Sequence, residues 1–152
     1  MARAKYTYST TEIVTIKQVV REAETKYPKI NTASNLKDFA TELIADEAQE
    51  VLLLICLDNQ LEMASFSVVH RGTVDSSLAA PRDLFQRALL ANAKGIILAH
   101  NHPSGHVNPS KADDDFTEKV VDAGKILGIQ VLDHMIVTRY DYFSYKEQGV
   151  IL

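Results

Sequence analysis

The sequence predicts an α/β fold in which a mixed β-sheet is flanked by helices. Short apolar runs of strand length alternate with longer segments whose apolar residues recur at helical spacing. The predicted order is helix, helix, strand, strand, helix, strand, helix, strand, strand. A length of 152 residues with 46% apolar content suffices for one hydrophobic core and is short for two ordinary domains. We therefore expect a single compact domain.

Four helices are predicted from apolar periodicity and end signals. Residues 1–8 show no pattern and are expected to form a loose arm, and a first helix follows from Ser9 to Tyr27. Ser34 or Asn35 is the expected cap of the second helix, whose apolar stripe predicts a core-facing side. The third begins at Pro81, a favoured first helical residue, and the fourth runs from Ser110 to a glycine cap at position 128.

The strands are predicted from apolar runs bounded by turn residues. The run 51–57 is continuously apolar, as is typical of a buried strand, and residues 62–69 follow the turn 58–60 as its partner. Further strands are expected at 95–99, 129–138 and from 142 to 144.

Cysteine content and charge exclude several classes of function. Cys56, the single cysteine, lies in an apolar run, where we expect it to pack in the core, as suits a reducing cytoplasm. One cysteine excludes a zinc site built on a Cys-x-x-Cys pair. The net charge of −4 offers no general attraction to nucleic acid, and no apolar run approaches the ~20 residues that span a bilayer. With no export signal, a cytoplasmic protein without membrane segments is expected.

A metal site is predicted between the strand at 95–99 and the following helix. Period-two alternation places His100 and His102 on the same side of the backbone, and Pro103 then ends the extended run. The loop returns to a helix that opens at Ser110, which brings Asp113 in its first turn to the same place. Two imidazoles and a carboxylate are three ligands of a catalytic zinc that keeps one position open.

Each of these residues also has a purely structural interpretation. Ser110 and Asp113 have the spacing of a capping box, and taken alone that pattern favours capping over catalysis. A histidine at a strand end is commonly just a satisfied polar group. The combination of His-x-His-Pro, six residues and Ser-x-x-Asp, directly after a buried strand, favours the metal site.

This combined pattern resembles the signature of the JAB/MPN domain, that is, the JAMM zinc metallopeptidases. The flanking residues are similar to the RadC branch of that family: Asn101, Phe85, Ala88, Leu132–Ile136 and Tyr142–Ser144. The resemblance covers about residues 35–152 and implies a cytidine-deaminase-like fold, with residues 34–152 as the catalytic domain after an arm and helix at 1–33. A helix-hairpin-helix segment often precedes the RadC domain, and we expect a stand-alone catalytic version here.

The resemblance implies roles for five residues. His100, His102 and Asp113 would hold Zn²⁺, Glu50 would act as general acid and base, with Glu47 as the fallback, and Ser110 would donate a hydrogen bond to the oxyanion. The expected reaction is hydrolysis of a peptide or isopeptide amide in a peptide or protein substrate.

Three further histidines are assigned by the same reasoning. His106 falls at a variable position of the family and is expected at the cleft mouth, not on the metal. His70, with Arg71, is as consistent with the cleft border as with an exposed strand end. Asp133 and His134 interrupt an apolar strand, which suggests first a buried structural pair and second support of the metal.

Two other classes of function stay open at this level. The RadC family carries a historical link to DNA repair, so a protein acting on or with nucleic acid is an alternative, although the charge does not support it. The consecutive His-Asn-His does not match the spacing of HNH nucleases. A metal-binding interaction module whose catalytic activity has lapsed is the second alternative.

Overall fold

A five-stranded mixed sheet forms the centre of the protein. The structure is a computed structural model and describes residues 32–72 and 80–151. In these ranges the elements are α1 (Ala33–Ile44), β1 (Val51–Leu57), β2 (Met63–Arg71), α2 (Pro81–Leu90), β3 (Gly95–Asn101), α3 (Lys111–Leu127), β4 (Gln130–Val137) and β5 (Tyr142–Ser144).

The sheet has the strand order β2-β1-β3-β4-β5. β1 pairs with β2 and with β3 in antiparallel fashion, β3 and β4 are parallel, and β5 is antiparallel to β4. The parallel pair is joined by α3, the crossover helix that parallel strands require. This arrangement confirms the predicted α/β class with a mixed sheet flanked by helices.

Both faces of the sheet are covered, which explains why β1 and β3 are apolar at nearly every position. On one face, Leu52, Leu54 and the buried Cys56 pack with residues of α2 and α3. On the other, Leu53 and Ile55 pack with the apolar stripe of α1. Because His100 pairs with Leu52 across the sheet, it lies on the face covered by α3.

The structure corrects the predicted start of α1 and the predicted ends of β2 and β3. The second predicted helix, α1, is capped by Thr32, whose side chain accepts a hydrogen bond from the Asn35 backbone nitrogen at 3.2 Å, and not by Ser34 or Asn35. β2 and β3 each extend two residues further than predicted, because strand pairing continues there regardless of side-chain polarity. The predicted arm and first helix, and most of the connection before α2, lie outside the described residues.

In the part of the chain that the structure describes, no helix is both long enough and apolar enough to cross a membrane.

Gly124 allows α3 to lie close to the start of β4. A Cβ atom at this position would lie 2.6 Å from the carbonyl oxygen of Ile129 and 3.0 Å from Cγ2 of Val131. Favourable contacts between carbon and a carbonyl oxygen lie at about 3.3–3.6 Å, so a contact of 2.6 Å is repulsive. The glycine therefore sets the distance between the crossover helix and the sheet, and with it the position of the helix that carries Asp113.

We predict that Gly124→Ala lowers the free energy of unfolding by about 1–3 kcal/mol, because overpacking outweighs the gain of up to about 1 kcal/mol in helix propensity. Chemical denaturation measures the change. Glu118→Ala, on the exposed side of the same helix, is the control and should stay within about 0.5 kcal/mol of the unaltered protein. An alanine variant as stable as the unaltered protein would contradict the close approach.

Candidate metal centre

Two imidazoles and one carboxylate converge at the end of β3. Nε2 of His100 lies 3.0 Å from Nε2 of His102 and 3.2 Å from Oδ1 of Asp113, and Nε2 of His102 lies 3.6 Å from Oδ2 of Asp113. All three side chains are largely withdrawn from solvent, with His102 the most exposed at 12%. The structure thus brings together the three residues that the sequence predicted as ligands.

The backbone explains this convergence. His100 is the second-last residue of β3, and the extended chain continues through His102, whose N–H donates to the carbonyl oxygen of Val137 at 3.4 Å. The two imidazoles therefore point to the same face, as alternation predicted, while Asn101 points to the other. A tight turn follows, in which Gly105 donates its N–H to the carbonyl of His102 and adopts a positive φ of 80°.

Asp113 is held by the start of α3. Ser110 is the N-cap, and its capping box is complete: its hydroxyl accepts from the Asp113 backbone nitrogen, and its own N–H donates to Oδ2 of Asp113 at 2.7 Å. The Ser110 hydroxyl also donates to Oδ2 at 2.6 Å. The capping interpretation of Ser110 and Asp113 is therefore confirmed. The same hydrogen bonds orient the Asp113 carboxylate toward the histidines.

The surroundings keep Asp113 ionised. Burial on its own would raise the pKa of this carboxyl, but the adjacent imidazoles of His100 and His102 and the hydrogen bond from Ser110 hold the pKa well below its usual range. In turn, the hydrogen bond with Asp113 raises the pKa of His102, although burial opposes it; the carbonyl of His106 and the charge of Glu50 contribute in the same direction. The carboxylate therefore favours a cation among these groups, either a proton on His102 or a metal ion.

The cluster fits a zinc ion in chemistry and in spacing. Nδ1 of His102 lies 2.8 Å from the carbonyl oxygen of His106, which can only accept, so Nδ1 carries the proton and the lone pair of neutral His102 is on Nε2. Ligand atoms of a tetrahedral zinc, at about 2.0–2.1 Å from the metal, lie about 3.3 Å from one another. The observed separations of 3.0, 3.2 and 3.6 Å agree with that value.

Of the two candidate general bases, Glu50 is the better placed. It immediately precedes β1, its side chain is partly buried, and its charge acts on His102. Glu47 instead forms an ion pair with Arg71, with 2.9 Å between the guanidinium nitrogen and the carboxylate oxygen. Arg71 is thus engaged with Glu47, at the border of the site.

Asn101 is a residue whose role the sequence did not reveal. Its fully buried side chain accepts a hydrogen bond from the Val51 backbone nitrogen at 2.7 Å and donates to the carbonyl oxygens of Glu47 and Gln49 at 3.2 and 3.1 Å. These bonds fix the backbone on both sides of Glu50. The available signal was an amide close behind the apolar run 95–99, because an amide that is buried there requires hydrogen-bond partners.

The remaining histidines occupy distinct places. His106 is exposed and contributes only its backbone carbonyl to His102, in agreement with a loop residue at the cleft mouth. His70 pairs with Leu52, the strand neighbour of His100, and is partly buried. His134 is completely buried, and its Nε2 lies 2.8 Å from Nδ1 of His100. Burial lowers the pKa of His134 well below its usual value, so this imidazole is neutral.

Asp133 has a structural role, as first expected. Its carboxylate accepts hydrogen bonds from the Ser144 hydroxyl at 2.6 Å and from the backbone nitrogens of His134 and Lys146 at 2.7 and 3.0 Å. Burial raises the pKa of this carboxyl, against the effect of these donors. The pair predicted from the sequence therefore divides: Asp133 fastens β5 and the following turn to β4, whereas His134 faces the cluster.

Comparison with known proteins places the chain in a family. Residues 30–150 match the model of the RadC-like JAB domain. The chain is 41% identical to a UPF0758 protein of Thermotoga maritima over 133 residues, covering 88% of this chain and 60% of that protein. It is 35% identical to one of Methanosarcina barkeri, covering 92% and 63%, and 32% identical to one of Vibrio atlanticus, covering 99% and 67%.

The chain thus spans about two thirds or less of the length of these relatives. The family match agrees with the mixed five-stranded sheet and with the position of the His-His-Asp cluster at the end of its central strand. The chain belongs to the RadC-like JAB domain family.

Proposed function

We propose that this chain is a zinc-dependent hydrolase that cleaves a peptide or isopeptide amide bond in a peptide or protein substrate. The observation that supports this most strongly is the convergence of His100, His102 and Asp113 within a few ångströms, beside the charge of Glu50. When bound there, zinc supplies a water whose pKa is lowered from about 15.7 to about 7.

Glu50 is the proposed general acid and base. As C–O bond formation to the substrate carbonyl proceeds, Glu50 takes a proton from the attacking water, and it returns the proton to the amine as the C–N bond breaks. The charge of Glu50 acts on His102, one of the proposed ligands, and this supports the choice. Val51, directly after Glu50, is anchored by Asn101, which supports a fixed position for the base.

Ser110 is the proposed donor to the oxyanion. Its hydroxyl donates to Oδ2 of Asp113, so it must turn to reach a substrate oxygen. The Ser110 N–H remains on the same carboxylate oxygen, so Asp113 keeps one donor when the hydroxyl leaves. Loss of a single oxyanion donor costs about 2.7–4 kcal/mol in the barrier of other hydrolases.

The first prediction from the proposed function concerns metal content. The purified protein should carry about one zinc per chain. His102→Ala and Asp113→Ala should each lose it, because the two remaining ligands are one fewer than the three protein ligands of a catalytic zinc site. Mass spectrometry of the metal-loaded protein measures this. His106→Ala removes a nearby imidazole outside the cluster and should retain the metal. An unaltered protein that takes up no added zinc would overturn the proposed function.

The second prediction separates catalysis from metal binding. Glu50→Gln should retain the zinc and lower kcat by about 10²–10⁴-fold, the usual contribution of a positioned general base. Cleavage of a peptide-linked or isopeptide-linked reporter substrate measures the rate. Glu47→Gln is the matched control and should lose much less activity. If Glu50→Gln turned over at the rate of the unaltered enzyme, the assignment of the base would be wrong.

The third prediction tests the support of Glu50. Asn101→Ala leaves the Val51 N–H and two carbonyl oxygens without their partner, and should lower the free energy of unfolding by about 1–3 kcal/mol or more. At temperatures where the variant is folded, turnover should fall while zinc content is unchanged. Asn108→Ala in the exposed loop is the control. Full turnover in folded Asn101→Ala would show that Glu50 does not need this support.

A further inference from the structure

A buried chain of hydrogen bonds connects two of the proposed metal ligands through residues that do not face the metal. The Thr117 hydroxyl lies 2.7 Å from the backbone carbonyl oxygen of Asp113 and 2.6 Å from Nδ1 of His134. Nε2 of His134 lies 2.8 Å from Nδ1 of His100. Thr117 is 2% exposed and His134 is fully buried, so water does not compete for these contacts.

The direction of every bond in the chain follows from its first member. A carbonyl oxygen can only accept, so the Thr117 hydroxyl donates its one proton to Asp113. Thr117 is then an acceptor toward His134, whose Nδ1 must carry the proton. A fully buried imidazole with no carboxylate beside it among the described residues carries a single proton, here on Nδ1, so Nε2 of His134 accepts from His100. This places the proton of neutral His100 on Nδ1 and its lone pair on Nε2.

This lone pair is the one that faces His102 and Asp113. We propose that Thr117 and His134 are positioning residues that fix His100 in the tautomer able to bind a cation at Nε2. The inference rests on the proposed metal site. Free neutral imidazoles exchange between two tautomers, so a group that selects one of them removes a cost from metal binding.

The structure also holds this chain of hydrogen bonds through Thr117, His134 and His100, hereafter the relay, in place. The ring of Tyr145 stacks on the ring of His134, with 5.2 Å between centroids and 11° between planes. The backbone N–H of His134 donates to Asp133, and its carbonyl accepts from the Tyr145 backbone nitrogen. His134 therefore has little freedom to turn its ring and reverse the bonds. Its placement on β4, opposite Leu98 of β3, brings it beside His100.

The test compares Thr117→Val, which keeps the shape and removes the hydroxyl, with Thr117→Ser, which keeps the hydroxyl. In the first variant His134 loses its acceptor at Nδ1, and its proton can move to Nε2, which then donates to Nδ1 of His100. Thr138→Val makes the same chemical change at another buried threonine, whose hydroxyl bonds only within the turn 138–141, and is the control.

Two measurements decide the proposal. Nitrogen NMR of the metal-free protein, about two pH units above the ordinary imidazole pKa of about 6.5, should show His100 protonated at Nδ1 in the unaltered protein and in Thr117→Ser. Zinc affinity, measured by competition with a chelator, should fall about 10–100-fold in Thr117→Val and remain near the unaltered value in Thr117→Ser and Thr138→Val.

His100 protonated at Nε2 in the unaltered metal-free protein would overturn the proposal, and this result does not depend on whether any variant folds. Equal zinc affinity in folded Thr117→Val and the unaltered protein would overturn it as well. Failure of the unaltered protein to bind zinc would instead overturn the proposed function, and the NMR measurement would still decide the tautomer of His100.

Discussion

The buried carboxylate of Asp113 is the constraint on which the rest of the site depends. An ionised group so far from solvent is tolerated only with hydrogen-bond donors or a cation beside it. One oxygen receives the N–H and the hydroxyl of Ser110, and the other faces His100. Because the donors on one side belong to the helix cap, the position of the charge is determined by where α3 begins. A cation between the carboxylate and the histidines would complete the balance of charge.

β3 positions the groups around Asp113 differently from α3. β3 lies between β1 and β4, so a residue near its end has neighbours on both sides: Leu52 on one, Ile136 on the other. His100 is therefore held rigidly. Because side chains alternate along the strand, His100 and Asn101 point to opposite faces of the sheet. The histidine points to α3, and the amide points to the backbone that carries Glu50. The tripeptide 100–102 thus places the proposed ligands and the proposed general base relative to one another.

Much of this could be predicted from the sequence, because the signals were local. The continuous apolar runs of β1 and β3, proline at the start of α2, and the glycine in left-handed conformation after α3 each determine their own element. The convergence of His100, His102 and Asp113 could be predicted because it depends only on a strand, a reversal of the chain and the start of a helix. The predicted cap of α1 was wrong by two or three residues because Thr32, Ser34 and Asn35 are all good caps. Which of several caps is used depends on packing that local sequence does not show.

The relay could not have been predicted in the same way, because its members are distant in sequence and each has an ordinary alternative. Thr117 in a helix commonly bonds the carbonyl four residues earlier, and this is its bond to Asp113. His134 beside Asp133 suggested a structural pair, and Asp133 does bond the backbone nitrogen of His134. Only the parallel pairing of β3 with β4 brings the imidazoles of His100 and His134 together.

The capping box has a consequence for catalysis that follows from its geometry. In the bond from the Ser110 N–H to the Asp113 carboxylate, the donor belongs to the backbone and keeps its direction as long as the first turn of α3 is formed. The hydroxyl bond to the same oxygen can be given up by a rotation of one side-chain torsion. Turning the hydroxyl toward a substrate oxygen would therefore leave the carboxylate anchored and the helix start intact. The helix cap is therefore compatible with the role proposed for Ser110 as donor to an oxyanion, because only one of its two donors has to move.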